Sequence, residues 1–332
     1  MRIIEISSLV ELIKFEDKFK YFENFTNYFQ SFEFILNFIN FHKANFLITL
    51  IEDKNNFIIL PFSNFKFKTI NFYGFIGSPD IGEENDLIHN FNDFDKFSIL
   101  LDVFFKKNNK RFYFCNLKDG FFKKYLSNKR KFNKLNSIKS NIIDIEENYY
   151  LNKKSIDKSI AYDLRKFEKD FGINEKSISI KNISTEEAKK YDIFKFISLN
   201  KKVKTKKFLK IVDFLIKNLK NNFIKISILK TNKFILSIII YVIYRNKLYY
   251  LIPVYNKKFK KFSFGKIHLE KLINHNKSKN IKKLFLGPGE ELYKKKFNTS
   301  KEKLHFFTNS NILKFLFKFK FFLKGQQVDK NI

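Results

Sequence analysis

The stretch FIKISILKTNKFILSIIIYVIYRNKLYYLIPVY, from Phe223 to Tyr255, decides the fold. It holds three runs dense in Ile, Val, Leu and Tyr, parted by the polar pairs Thr231-Asn232 and Arg245-Asn246. Branched and aromatic side chains suit a pleated, buried surface, and a two-residue polar break between such runs signals a hairpin. Three consecutive strands in an antiparallel meander are therefore predicted. The middle run, Phe234 to Tyr244, is the longest apolar one, yet it falls well short of the roughly 20 residues that a spanning helix needs. It reads as a buried strand.

Past Tyr255 the chain continues NKKFKKFSFG, a predicted loop, and then KIHLEKLINH, where Ile267, Leu269, Leu272 and Ile273 recur at helical spacing. A loop rich in lysine and glycine that opens a helix presents unpaired N–H groups at the positive end of the helix dipole, a natural seat for a pyrophosphate. Lys257, Lys258, Lys260, Lys261, Ser263, Gly265 and Lys266 fit that role. The plainer alternative is a solvated lysine loop with Ser263 as a helix cap. A last strand, IKKLFLG, leads into GPGEELYKKKF. In a chain with only 9 Gly and 4 Pro, the cluster Gly287, Pro288, Gly289 marks a turn or a close backbone approach.

Ahead of the meander, Ile156, Ile160, Leu164, Phe167 and Phe171 predict a helix stopping at Gly172, and two more follow around Ile193–Ile197 and Phe208–Leu219. A lysine- and asparagine-rich stretch, Lys131 to Asp157, is interrupted by NIIDIEE, which reads as a strand carrying the chain between domains. Further back, NFLITLIED and NFIILPF flank Asp53–Asn56 as a hairpin. KTINFYGFIG and RFYFCNL read as strands, SPDIGEENDLI as a loop, and Phe94–Phe105 as a helix. Both halves thus carry helical and meander-like patterns, which points to an α/β (α+β) chain of two lobes, residues 1–140 and 141–325.

The 332 residues carry a formal charge of +32, which by itself suits nucleic acid or an anionic membrane. Only five of the 65 basic residues are arginine, however, and the chain is equally rich in Phe, Ile and Asn, all specified by A/T-rich codons. Readers of nucleic acid depend on bidentate arginine, so this lysine excess argues for a solvated coat. Cys115 is the single cysteine, which excludes an intrachain disulfide. His42, His89, His268, His275 and His305 are scattered without metal-ligand spacing, so no metal is expected. His268 and His275 are expected as surface or helix-end imidazoles. No GxxxxGK[ST] or GxGxxG occurs. Glu5, Glu11 and Glu16 interrupt the N-terminal apolar region, unlike a secretory signal, and a cytoplasmic protein is expected.

LFLGPGEELYKKKF resembles the signature of the CelD-like branch of the GNAT acyltransferases, a D-F-G-P-G-D-E-x-Y-K-x-R-F type segment ending a strand. VYNKKFKKFSFGKIHLEKLI is similar to that family's segment between its fourth strand and following helix, and SIAYDLRKFEKDFG to its first helix. FIGSPDIGEENDLI and the ITLIEDKNNFIILPF hairpin resemble its N-terminal half. The resemblance implies two tandem GNAT-like lobes, each a mostly antiparallel mixed sheet flanked by helices, the second using acetyl-CoA or another acyl-CoA as co-substrate. It implies pantetheine along Leu251–Tyr255, with Val254 and Tyr255 lining it, and phosphates on Lys260, Lys261, Ser263, Gly265 and Lys266. Glu290 or Glu291 would serve as base, Tyr293 would donate to the departing thiolate, and Gly287, Gly289, Lys294 and Asn200 would face the substrate. The family's acid falls on Phe285, its S-P-G triplet reads Ser263, Phe264, Gly265, and its histidine in the third helix reads Asn200.

Three functions compete at this stage. The first is acyl transfer from CoA to a small-molecule amine, with an amino sugar for surface polysaccharide implied by the resemblance alone. The second is a Fem-type transferase using aminoacyl-tRNA. The third is a non-enzymatic basic protein whose C-terminal NILKFLFKFKFFLK, of ambiguous secondary structure, lies on an anionic membrane or binds nucleic acid.

Overall fold

In a computed structural model the described residues are 1–67, 69–145, 150–151, 153–200, 205–220, 222–277, 280–288, 294–297 and 299–323. The chain divides into two compact units, one of Met1–Lys139 with Lys303–Ile332 and one of Ser140–Glu302. In the first, β1 (Arg2–Ile6), β2 (Phe46–Asp53), β3 (Asn56–Phe67) and β4 (Ile70–Phe75) form an antiparallel sheet in that order, and the short β5 (Ile88–His89) pairs with β3. The β2–β3 hairpin turns at Lys54, whose φ of 53° is the left-handed geometry of a tight turn. Next comes the helix Phe94–Lys107, capped by Asp93, whose side chain accepts the amides of Asp95 and Lys96. It buries Phe97, Leu101 and Phe104 against rings from β3, β4 and β6 (Tyr113–Leu117).

The strand β7 (Asn133–Asp144) takes the chain into the second unit. It is longer than NIIDIEE implied, beginning at Asn133, and it has the strands Lys283–Pro288 and Thr299–Thr308 as its two neighbours in the sheet. The helix Lys153–Phe171 follows and ends, as expected, at Gly172, whose φ is 63°. Then come β8 (Ser179–Ile183), the helices Thr185–Lys190, Ile193–Asn200 and Lys206–Lys217, and the meander β9 (Ile224–Lys230), β10 (Ile235–Tyr244) and β11 (Lys247–Tyr255). The helix Phe264–Lys277 crosses over to β12 (Lys283–Pro288), which runs parallel to β11 as such a crossover allows. Within this unit the order is β7-β12-β11-β10-β9-β8, antiparallel except at β11/β12. From β13 (Thr299–Thr308), residues His305–Thr308 pair with β6 in the first unit. The architecture is mixed α/β with two sheets, as expected.

Three local expectations are corrected, and one point left open is decided. The Thr231-Asn232 break is a four-residue loop, closed by the Thr231 amide bonding the Phe234 carbonyl at 2.9 Å while the Thr231 hydroxyl accepts the amides of Lys233 and Phe234. The predicted loop after Tyr255 is a 3-10 helix, Lys257–Phe262, because Phe259 and Phe262 are drawn into a buried cluster with Phe167 and Phe264. His268 is fully buried, with its Nε2 2.8 Å from Ser227 Oγ. The C-terminal run is helical, Asn311–Leu323.

Candidate functional site

The parallel pair β11/β12 shares only three rungs, Lys247–Lys283, Leu248–Leu284 and Tyr249–Phe285. Past Tyr249, β11 goes on pairing with β10 as far as Tyr255, but Leu251 is an extra residue opposite the Ile240–Tyr241 step. Past Phe285, β12 goes on pairing with β7 as far as Pro288, and Leu286 is likewise extra between Phe285 and Gly287. A bulge bends its strand away from the straight course. Two bulges, one on each strand and both just past the last shared rung, part the pair. Pro253 reinforces this, because it has no N–H to offer a neighbouring strand.

At the vertex of the seam, Phe285 stacks on Tyr249 with ring centroids 4.9 Å apart, and both rings are buried. Phe285 therefore does packing work where the resembled family has an acid. On the β12 side the Lys294 side chain is only 3% exposed, and its ammonium donates to the Gly287 carbonyl at 3.1 Å and the Pro288 carbonyl at 2.9 Å. Gly287 has a φ of 71°, a backbone that favours glycine. The lysine expected to face substrate thus fastens the turn. Gly289, Glu290, Glu291 and Tyr293 lie outside the described residues.

On the β11 side, Val254 is buried and its carbonyl accepts from Ser237 Oγ at 3.1 Å, while Tyr255 stands exposed. Asn256, missed in the sequence, shapes the corner: its Oδ1 accepts the Lys258 amide and its Nδ2 donates to the Ile235 carbonyl. Asn200 steadies the same corner, accepting the Lys257 amide at 2.9 Å and donating to the Phe196 carbonyl. Ser263, exposed and left-handed with φ 48°, ends the 3-10 helix, and its carbonyl takes the Lys266 amide at 2.9 Å.

The helix Phe264–Lys277 then begins; the Lys266 and Ile267 amides bond the Ser263 carbonyl, which leaves those of Phe264 and Gly265 at its opening. Gly265 lies there with open space in front of it. A Cβ built on it would meet only the Tyr255 ring, 4.0 Å away. The loop's lysines are not equivalent. Lys261 pairs with Asp170 at 2.7 Å and holds that carboxyl below its usual range. Lys266 is nearly buried, donating to Ser159 Oγ at 2.7 Å with Asp163 3.7 Å away, and burial pulls its ammonium pKa down. Lys257 donates to the Leu199 carbonyl. Lys260 is exposed, and no partner for its ammonium occurs among the described residues. Among those residues no three His, Cys, Asp or Glu side chains gather as metal ligands would.

This seam, corner and turn fall inside one segment with known relatives. Residues 204–295 match the acetyltransferase (GNAT) domain. That GNAT-like segment runs from the last helix before the meander to Lys295, so it contains the parted strands, the Gly265 turn and the Gly-Pro-Gly run. No curated protein matches the chain. Among solved structures, FemX aligns over 92% of this chain and 97% of its own at 10% identity, with a TM-score of 0.60. L-PGS from Bacillus licheniformis aligns over 92% and 96% at 12% identity, TM-score 0.56. A conserved protein of unknown function from Bacteroides thetaiotaomicron aligns over 92% and 99% at 10% identity, TM-score 0.60. At such low identity the likeness is one of fold: tandem GNAT-like lobes.

Proposed function

We propose that the second unit is an N-acyltransferase that takes its acyl group from acyl-CoA. The observation that carries this reading is the parting of β11 and β12 after Tyr249 and Phe285, with the first turn of a helix open at Gly265 beside it. A pantetheine arm needs such a seam, because the free edges of two parted strands offer amides and carbonyls to its own amides. The diphosphate would rest on the turn at Ser263 and Gly265 with Lys260 above it. Lys261 and Lys266 act indirectly, by fixing the corner to Asp170, Ser159 and Asp163.

Transfer forms a C–N bond to the acceptor and breaks the thioester C–S bond, so the acceptor ammonium must lose a proton and the thiolate must gain one. Glu290 or Glu291 is the base and Tyr293 the donor in this reading. Gly287 and Gly289 let the backbone approach, and Lys294 sets the turn. The acceptor is a small-molecule amine, with an amino sugar for surface polysaccharide the class implied by the resemblance. Calorimetric titration with CoA at low salt tests the donor, and absence of binding overturns the reading. Glu290→Gln and Tyr293→Phe should slow turnover while CoA affinity holds, whereas full activity in both removes those two roles.

The second reading is a Fem-type, aminoacyl-tRNA-dependent transferase, favoured by the fold likeness to FemX and the charge of +32. Protection of aminoacyl-tRNA from hydrolysis at moderate salt, without CoA binding, would select it.

A further inference from the structure

On the helix Lys153–Phe171, Ser159, Asp163, Phe167, Asp170 and Phe171 recur every three or four residues and so share a face. All five engage the segment between Phe259 and Lys266. Ser159 Oγ accepts from the Lys266 ammonium at 2.7 Å, and the Asp163 carboxylate lies 3.7 Å from that ammonium, with both charged side chains nearly out of water. The Phe167 ring meets those of Phe259, Phe262 and Phe264 edge-on, with centroids 5.5, 5.2 and 4.9 Å away, and Phe171 meets Phe259 and Phe262 in the same way. Asp170 accepts from Lys261 at 2.7 Å. Ser263 stands between the anchored Phe262 and Phe264, in the left-handed region that a residue with a side chain occupies where its surroundings enforce it.

The two acids are out of place in a site that draws its affinity from lysine charge. A carboxylate beside a phosphate seat opposes the phosphate, and here each withdraws a lysine as well, Asp163 that of Lys266 and Asp170 that of Lys261. Lys257 is taken by the Leu199 carbonyl and Lys258 lies over the Phe234 ring, so of these five lysines Lys260 alone has no ammonium partner among the described residues. What the acids and the rings share is the path of the chain. They pin it on both sides of Ser263, where the Phe264 and Gly265 amides stand at the helix opening. Backbone donors hold an anion only while their directions are kept, so fixing this turn in advance matters more than the charge that the acids remove.

We infer that Asp163 and Phe167 are positioning residues, which hold the Ser263 turn as a template for the donor's diphosphate. The identity of that ligand rests on the donor reading above, whereas the templating of the turn does not. On charge alone, Asp163→Asn should tighten CoA binding, because it frees Lys266. A template gives the opposite sign, an affinity about tenfold weaker, most of it regained in Asp163→Glu, which keeps the carboxylate. Phe167→Leu stays apolar but loses the edge-on contacts, and it should weaken CoA binding likewise. Hydrogen exchange reads the turn without any ligand. The Lys266 and Ile267 amides, bonded to the Ser263 carbonyl at 2.9 and 3.3 Å, should exchange about tenfold faster in Asp163→Asn and in Phe167→Leu, while the amides of β10 keep the parent's rates. CoA binding that is unchanged or tighter in Asp163→Asn overturns the inference. So does exchange that quickens equally at the turn and in β10, since that marks a general loss of stability. If the parent itself fails to bind CoA, the donor reading falls and the exchange rates alone decide for or against the template.

Discussion

The two units each bring a parallel strand pair to the edge of a meander, and they treat it in opposite ways. In the first, β4 and β6 meet at a single parallel bridge, Tyr73–Phe112, and the chain then folds its own 77–87 segment across the seam. Asn85 makes a second parallel bridge to Leu117, its amide bonds the Asn116 carbonyl at 2.8 Å, and its side chain donates to the Cys115 carbonyl at 2.8 Å. Ser78 Oγ lies 2.6 Å from Cys115 Sγ, and the rings of Phe75, Phe114 and Phe122 pack beneath. In the second unit β11 and β12 share three rungs and then bulge apart, and no further rung joins them among the described residues. The comparison teaches that parting strands expose backbone groups which something must satisfy. The first unit satisfies them with Asn85, whose amide, carbonyl and side chain bond Asn116, Lys118 and Cys115, whereas the second leaves the edge to which the proposed function assigns the donor.

Loss of a vertex ring should have the largest effect. Phe285→Ala is expected to destabilise the second unit by about 3–5 kcal/mol, as removal of a buried aromatic does, and Phe114→Ala should do the same to the first. Only Phe285→Ala should also weaken CoA binding. Denaturant melts paired with CoA titration separate the two, and equal loss of CoA binding in both would mean that the seams do not differ in function. Next, Gly265→Glu puts a carboxylate at the helix's first turn, where it suits the dipole but opposes a phosphate. CoA affinity should fall about a hundredfold with Tm held. Its counterpart Gly120→Ala would push a Cβ to 2.9 Å from Asp86 Oδ2, lowering Tm and leaving CoA affinity alone.

The pH dependence sharpens the contrast further. Burial lowers the His268 pKa from 6.5 to about 3, so in that window the unfolded chain holds a proton that the folded one lacks. Acidification from 6.5 downward should therefore cost stability, at up to about 1.4 kcal/mol per pH unit. Asp86 in the first unit is the reverse. Burial raises its carboxyl from 3.8 to about 6 against the opposing pull of Lys118 and the Leu87 amide, so the folded chain keeps a proton that the unfolded one sheds. Raising the pH through that window favours unfolding. His268→Gln should unmask the Asp86 slope and Asp86→Asn the His268 slope, measured as stability against pH, and parallel curves would refute the assignment. The smallest effect is expected at the corner: Lys260→Gln should weaken CoA binding about threefold, fading with salt as exposed charges do. Lys261→Gln, whose ammonium is already given to Asp170, should do less.

Much of the frame was legible because it is written in local patterns. The meander, the helix ending at Gly172 and the hairpin at Lys54 follow from side-chain alternation, periodicity and turn chemistry. The helix Phe32–His42 escaped although Glu33, Asn37 and Asn40 form a polar stripe opposite the buried Phe34, Ile35, Phe38 and Ile39, and Ser31 is a good cap signal. At the site, Lys260 lies in a 3-10 turn where a loop was expected, and Gly265 lies in the first turn of the helix that follows. The duties of Lys266, Lys294 and Asn200 did not show, because each is set by a partner far along the chain or by backbone carbonyls. His268 looked like a surface imidazole since Ser227, which faces it, lies on another element.

By itself the sequence determined which segments become strand or helix and in what order, because propensity, alternation and capping act between residues a few positions apart. Only the tertiary structure decided that one parallel seam is stitched and the other open. That outcome rests on the extra residues Leu251 and Leu286 being opposed to β10 and β7, and on Asn85 reaching Cys115. Such pairings join positions tens of residues apart, where no local pattern reaches.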